Sequence, residues 1–172
     1  MNQLIRIGQM AAAHGVEGQL ILKHNLGKKT DFEGTDAFLI EQSDGRMLPY
    51  FPAEVKARSA EESLVRLEGI QTREKALTLL KKGVWLEAAM AQKLAAKNAP
   101  IALLGFDVWN EGTLLGPVLE VIEQPGQVLL RLEMEGKEVL LPVHEDTLEA
   151  IDHKKRVIRL VLPDGLLDIY LK

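Results

Sequence analysis

Apolar residues along this chain recur mainly at every second position in short runs, the spacing of strands with one buried face. In Gln19–His24, Leu20 and Leu22 share a face and Lys23 takes the other. Residues 4–8 lean to strand and lead towards His14-Gly15-Val16-Glu17-Gly18, a turn with two glycines. Residues 37–41 and 47–50 read as a hairpin closed at Asp44-Gly45. Residues 55–58 and 63–67 form a further antiparallel pair, and 84–87 another strand. Pro49 and Pro52 confine their neighbourhood to an edge or a break. In the second half, 117–122, 127–132, 138–142 and 157–162 read as strands. Turns at 110–112, 125–126, 135–137 and the charged 152–156 separate them, and Ile158, Leu160 and Leu162 share a face.

One helix interrupts this pattern. Thr72 is placed to cap it, and Ala76, Leu79 and Leu80 form an apolar stripe at i, i+3 and i+4. Lys81 and Lys82 complement its C-terminal dipole, and Gly83 is the expected stop. The Ala-rich stretch 89–100 ends on a proline and reads as a linker with room for a helical turn. The pattern therefore predicts a mainly β chain of two small barrels, residues 1–88 and 101–172, joined by 89–100.

Composition narrows the chemistry. Aromatics are 5% of the 172 residues, so Leu, Ile and Val must fill the cores. The absence of cysteine excludes disulfides, thiolate zinc sites and a thiol nucleophile. The four histidines lie far apart in sequence, so no metal or cofactor is expected. The start lacks a long apolar segment and no apolar run reaches a membrane-spanning length, so the expected location is the cytoplasm. The net charge of −4 is uneven: residues 1–90 carry 12 Lys/Arg and 12 Asp/Glu, residues 91–172 carry 9 and 13. A naked nucleic-acid binder needs a basic excess, which this chain lacks overall. An acidic second half suits a basic protein partner, although −4 is also ordinary solubility charge.

Each candidate residue carries a plain reading beside the functional one. His14 titrates near neutrality but has no visible base partner, and Gly15 serves its turn; a carboxylate folded beside His14 would reopen an enzymatic reading. Lys23, Lys28 and Lys29 form a modest basic patch, suited to phosphates or simply to solvent. Trp85 and Trp109 are stacking candidates set inside apolar strand patterns. Glu133 and Glu135 share a strand face or a hairpin tip. Glu145, Asp146 and Glu149 are expected on a helical turn, facing a basic partner or water. No nucleophile–base set or phosphate loop is present, so binding rather than catalysis is expected.

Taken together in order, several motifs resemble the RimM family of ribosome maturation factors. They are Ile7-Gly8-Gln9-Met10-Ala11-Ala12-Ala13-His14-Gly15-Val16-Glu17-Gly18, then Leu67-Glu68-Gly69-Ile70-Gln71-Thr72-Arg73-Glu74-Lys75-Ala76, and Leu103-Leu104-Gly105. The Gly136–Pro142 hairpin region and Leu162-Pro163-Asp164-Gly165-Leu166-Leu167-Asp168 complete them. The resemblance implies an N-terminal six-stranded barrel of the translation-factor type and a C-terminal PRC barrel. It also implies a non-enzymatic role: binding the immature small (30S) ribosomal subunit, assisting assembly of its head, and aiding 16S rRNA processing. The implied protein partner is small-subunit ribosomal protein nineteen, a basic head protein, with no membrane and no small-molecule substrate. Candidate protein-binding residues are then Phe106, Trp109, Glu133, Glu135, Glu145, Asp146 and Glu149. Candidate rRNA-proximal residues are His14, Gly15, Lys23, Lys28 and Lys29. The alternative is a stand-alone RNA-binding module. The chain departs from the family at Asn98, Ala99 and Pro100, where a tyrosine pair is usual, and at Gln124-Pro125-Gly126-Gln127, where Gly-Ala-Asn-Asp is often found.

Overall fold

A computed structural model describes residues 3–171, which divide into two units, one ending at Ala99 and one beginning at Pro100. In the first unit, β1 (Leu4–His14), β2 (Gln19–His24), β3 (Phe38–Glu41), β4 (Met47–Tyr50), β5 (Pro52–Ala57), β6 (Glu62–Leu67) and β7 (Gly83–Glu87) make one sheet in the order β4-β3-β7-β1-β2-β6-β5. The two ends of that order, β4 and β5, are successive halves of one bent strand with Phe51 at the bend. The sheet thus closes on itself as a six-stranded barrel. The break falls between Pro49 and Pro52, where the missing N–H groups weaken any continuous ladder. The Phe51 carbonyl still accepts from the Glu68 N–H at 2.8 Å.

Alternation fills the interior. Ile5 and Ile7, Leu20 and Leu22, Phe38 and Ile40, Val65 and Leu67, and Val84 and Leu86 are all buried. Met10 rejoins the inner face because β1 shifts register against β7 between Arg6 and Gly8 and against β2 between Met10 and Ala12. Gly8 lies where a Cβ would run into the Lys23 carbonyl, which is why that stretch of β1 can lie so close to β2.

The capping expectation holds and the stop does not. In α1 (Arg73–Leu77), the Thr72 hydroxyl accepts from the Lys75 N–H at 3.2 Å and Ala76 is buried; Leu79, just beyond the helix, is buried too, while Leu80 is only half-buried. The helix ends well before Gly83, which opens β7 as a buried strand residue. Lys81 instead takes the left-handed turn at φ +66°. The reason is competition: the Lys81 N–H bonds the Met10 carbonyl and the Lys82 carbonyl accepts from Met10, so the β1 backbone captures these groups.

The stretch read as a linker is folded onto the first unit. α2 (Ala88–Leu94) packs on β1 and β7 and buries Ala91 and Leu94. Beyond it, the Ala96 N–H donates to the Leu26 carbonyl at 2.7 Å. Ala99 is buried, and its methyl lies where a side chain on Gly27 would have to go. Small side chains, taken in the sequence as linker composition, are what permit this close approach.

The second unit begins with a 3₁₀ turn (Pro100–Leu103). It builds β8 (Asp107–Asn110), β9 (Thr113–Pro117), β10 (Glu120–Gln124), β11 (Gln127–Met134), β12 (Lys137–Val143), β13 (Leu148–Asp152), β14 (Val157–Leu160) and α3 (Leu166–Leu171). These form two sheets, β10-β11-β12 and β13-β14-β8-β9. Val108, Leu130, Leu132, Val139, Leu141, Ile158 and Leu160 are fully buried between them. The shared face of Ile158, Leu160 and Leu162 is inward, as the alternation implies.

His24 is the one buried histidine of the barrel. Its Nδ1 accepts from the Leu26 N–H at 3.3 Å and its ring meets Phe32 edge-on. Burial pushes its pKa down, with nearby Glu61 opposing. The folded state thus prefers neutral His24. Its contribution is complete above the unfolded value of about 6.5 and is lost as pH falls from there through the depressed folded value. The urea midpoint of the native chain is expected to drop more between pH 7.5 and 5.5 than that of H24Q; equal drops would assign the effect elsewhere. Thr72→Ala should cost about 1 kcal/mol in the same assay through loss of the cap.

Candidate functional site

The rRNA-proximal candidates of the first unit do not form one patch. His14 and Gly15 sit just before β2, whereas Lys28 and Lys29 follow its far end. The six residues of β2 span about 20 Å between them. Lys23 projects from the strand, exposed. Lys28 and Lys29 are joined by Lys93 of α2 around a cavity of about 580 Å³ that Asp31 and Glu33 also line. Lys93 was hidden in the sequence because its segment read as linker.

The His14–Gly18 turn is anchored by residues that spacing did not suggest. Arg73 Nη1 donates to the Gly15 carbonyl at 2.8 Å, and Arg66 Nη2 meets Glu17 at 3.0 Å. Gly18 has φ +90° and lies where a Cβ would run into the Ile70 carbonyl. Among the described residues, no carboxylate lies within ion-pairing distance of His14. Trp85 is half-buried and its Nε1 donates to Glu41 at 3.3 Å, which holds it within the barrel wall.

In the second unit the protein-binding candidates fall into three places. Glu145 and Asp146 lie in the turn between β12 and β13, and with Glu123 they line a cavity of about 740 Å³. The turn is locked by Thr147, whose buried hydroxyl donates to the Pro142 carbonyl at 2.8 Å and accepts from the His144 N–H at 3.1 Å. The Asp146 N–H donates to His144 Nδ1 at 3.2 Å. Glu149 is not on a helical turn; it sits in β13, whose pairing with β14 imposes strand geometry. There it shares a cavity of about 310 Å³ with half-buried Trp109. Glu133 faces Glu138 across the β11–β12 hairpin, and Glu135 occupies its turn at φ +52°. Phe106 is 5% exposed, packed edge-on to His153 with the Arg156 guanidinium above it, so it anchors the core and not a partner.

Among the described residues no group of three His, Asp or Glu could hold a metal, and no helix is long and apolar enough to cross a membrane. Residues 5–90 match the family model described as the RimM N-terminal domain, and residues 100–166 match the RimM PRC barrel domain. The chain belongs to the RimM family. It is 30% identical to the ribosome maturation factor RimM of Parabacteroides distasonis over 171 residues, covering 98% of each chain. It is 31% identical to that of Bacteroides thetaiotaomicron, covering 98% of this chain and 94% of the relative. A crystal structure of a 16S ribosomal RNA processing protein RimM from Pseudomonas aeruginosa aligns with 94% of the chain at 18% identity and a TM-score of 0.42. Where the RimM resemblance leads one to expect a tyrosine pair, this member has exposed Asn98 and inward-turned Ala99, so that stretch offers no aromatic anchor.

The two glycines of the His14–Gly18 turn should differ on substitution. Gly15 has φ +67° but open space around it, so G15A should cost only the backbone strain, about 1–2 kcal/mol. Gly18→Ala adds a collision with the Ile70 carbonyl and should lower the thermal midpoint further than G15A; equal shifts would contradict the packing described.

Proposed function

We propose that this chain is a ribosome maturation factor that binds the immature small subunit in the cytoplasm and assists assembly of its head, and thereby 16S rRNA processing, without catalysis. The observation that supports this most is that both units match RimM domains in order, with relatives named as ribosome maturation factors aligned along 98% of the chain. The charge pattern suggests how the molecule docks. Glu145 and Asp146 are exposed beside Glu123 in a unit with a surplus of carboxylates, a surface suited to a basic partner such as small-subunit ribosomal protein nineteen. The Lys28, Lys29 and Lys93 cavity of the first unit is then the part that faces rRNA. A factor of this kind binds a maturation intermediate more tightly than the finished subunit and so shifts the population between them.

The test is capture of immature and mature small subunits, and of purified protein nineteen, by the full chain. Immature subunits should be retained preferentially. The E145Q/D146N variant should associate with protein nineteen several-fold more slowly and with weaker salt dependence, since such rim charges act mainly on encounter. Equal capture of immature and mature subunits would sink the maturation role. Unchanged association by the variant would move the docking surface away from this turn.

A further inference from the structure

The β13–β14 hairpin carries a charge pattern that docking on a basic protein does not use. Lys154, Lys155 and Arg156 are consecutive in its turn, with Arg159 three residues on, in a half that holds only nine Lys and Arg. The turn is built to hold two of these outward. Asp152 Oδ1 accepts from the backbone N–H groups of Lys154 and Lys155, each at 3.0 Å. Arg156 is committed inward: its guanidinium lies 5.2 Å from the Phe106 ring centroid and donates to the Leu104 carbonyl at 3.1 Å. Lys154 and Lys155 are exposed, and among the described residues no carboxylate pairs with either of them or with Arg159. Asp152 lies near Lys155 and Arg159 and its Oδ1 is engaged by the turn's backbone, so the ammonium groups of Lys154 and Lys155 stay open to an anion outside the chain.

An aromatic surface adjoins the turn. Parallel pairing of β14 with β8 sets Arg159 opposite Trp109. Both line the 310 Å³ cavity, along with Glu111 and Glu149. That volume is at the lower limit of small-ligand pockets and has room for one flat ring. Val157, the first residue of β14 after the turn, lines the same cavity as Arg159, so the turn adjoins it. Cations for phosphates, a half-buried indole for a base face and carboxylates for base amino groups together match an unstacked RNA strand. A membrane would be met by apolar residues at the tip, and residues 152–156 include none.

We propose that this hairpin is an RNA-docking edge: Lys154, Lys155 and Arg159 contact phosphates of a single-stranded segment, and one base stacks on Trp109. This goes beyond the docking reading, in which RNA faces only the first unit. The acidic Glu145-Asp146 turn and the basic turn lie at opposite ends of β13, whose five residues span about 16 Å. The second unit therefore holds a basic protein and an RNA strand at the same time.

The test titrates the full chain against a fluorescent single-stranded oligouridylate from low to physiological salt. Lys154→Ala with Lys155→Ala should weaken binding and flatten the slope of log affinity against log salt by about 1.4, two phosphate contacts' worth. In a W85F background, Trp109 fluorescence should be quenched as RNA is added. No binding by the native chain, an unchanged slope in the double variant, or loss of binding only in K28A/K29A would each overturn the proposal. So would binding to phosphatidylglycerol vesicles without binding to RNA. Capture of protein nineteen by the same preparation separates the two readings: capture without RNA binding sinks this proposal alone, and RNA binding without capture sinks only the protein-docking model.

Discussion

In the first unit one strand, bent at Phe51, pairs with β3 through its first half and with β6 through its second, and this closes the sheet into a barrel. Closure removes the free edges that would otherwise invite other chains, and it traps the alternating Ile, Leu, Val and Phe side chains in a single interior. The rest of the first unit follows. The register shifts in β1 let its eleven residues pair with β2 and β7. The backbone of Lys81 and Lys82 is recruited to Met10, and α2 packs on β1 and β7.

Strand interiors are used up by packing, so chemistry available to partners is pushed to the turns. Three of the candidate turns are held by hydrogen bonds: Arg73 on the Gly15 carbonyl, Thr147 under Glu145 and Asp146, and Asp152 under Lys154 and Lys155. A turn fixed this way is already ordered, which is the condition under which association costs least. Net charge does not reveal this placement. The second unit is acidic in sum yet carries an acidic turn and a basic turn at the two ends of one strand.

Several elements were legible because their causes are local. Thr72 caps α1 wherever the helix lies, Asp44-Gly45 turns β3 into β4, and the alternation of Ile158, Leu160 and Leu162 specifies one inward face. The misplaced elements had nonlocal causes. Gly83 looked like a helix stop until β1 competed for the preceding backbone. Glu149 looked helical until β14 paired with its neighbours. Phe106 looked like an available aromatic until His153 and Arg156 packed against it.

The sequence by itself determined the strand-rich class and the exclusion of thiol and disulfide chemistry, because period, turn residues and composition are properties of neighbours along the chain; the family was carried by the resemblance of its motifs in order. Only the tertiary structure decided which charges share a surface. Lys93 joins Lys28 and Lys29, Arg73 reaches Gly15 across 58 positions, and Trp109 meets Arg159 through a parallel strand pair. Those juxtapositions depend on barrel closure and register, which bring together residues whose separation along the chain carries no signal of their contact.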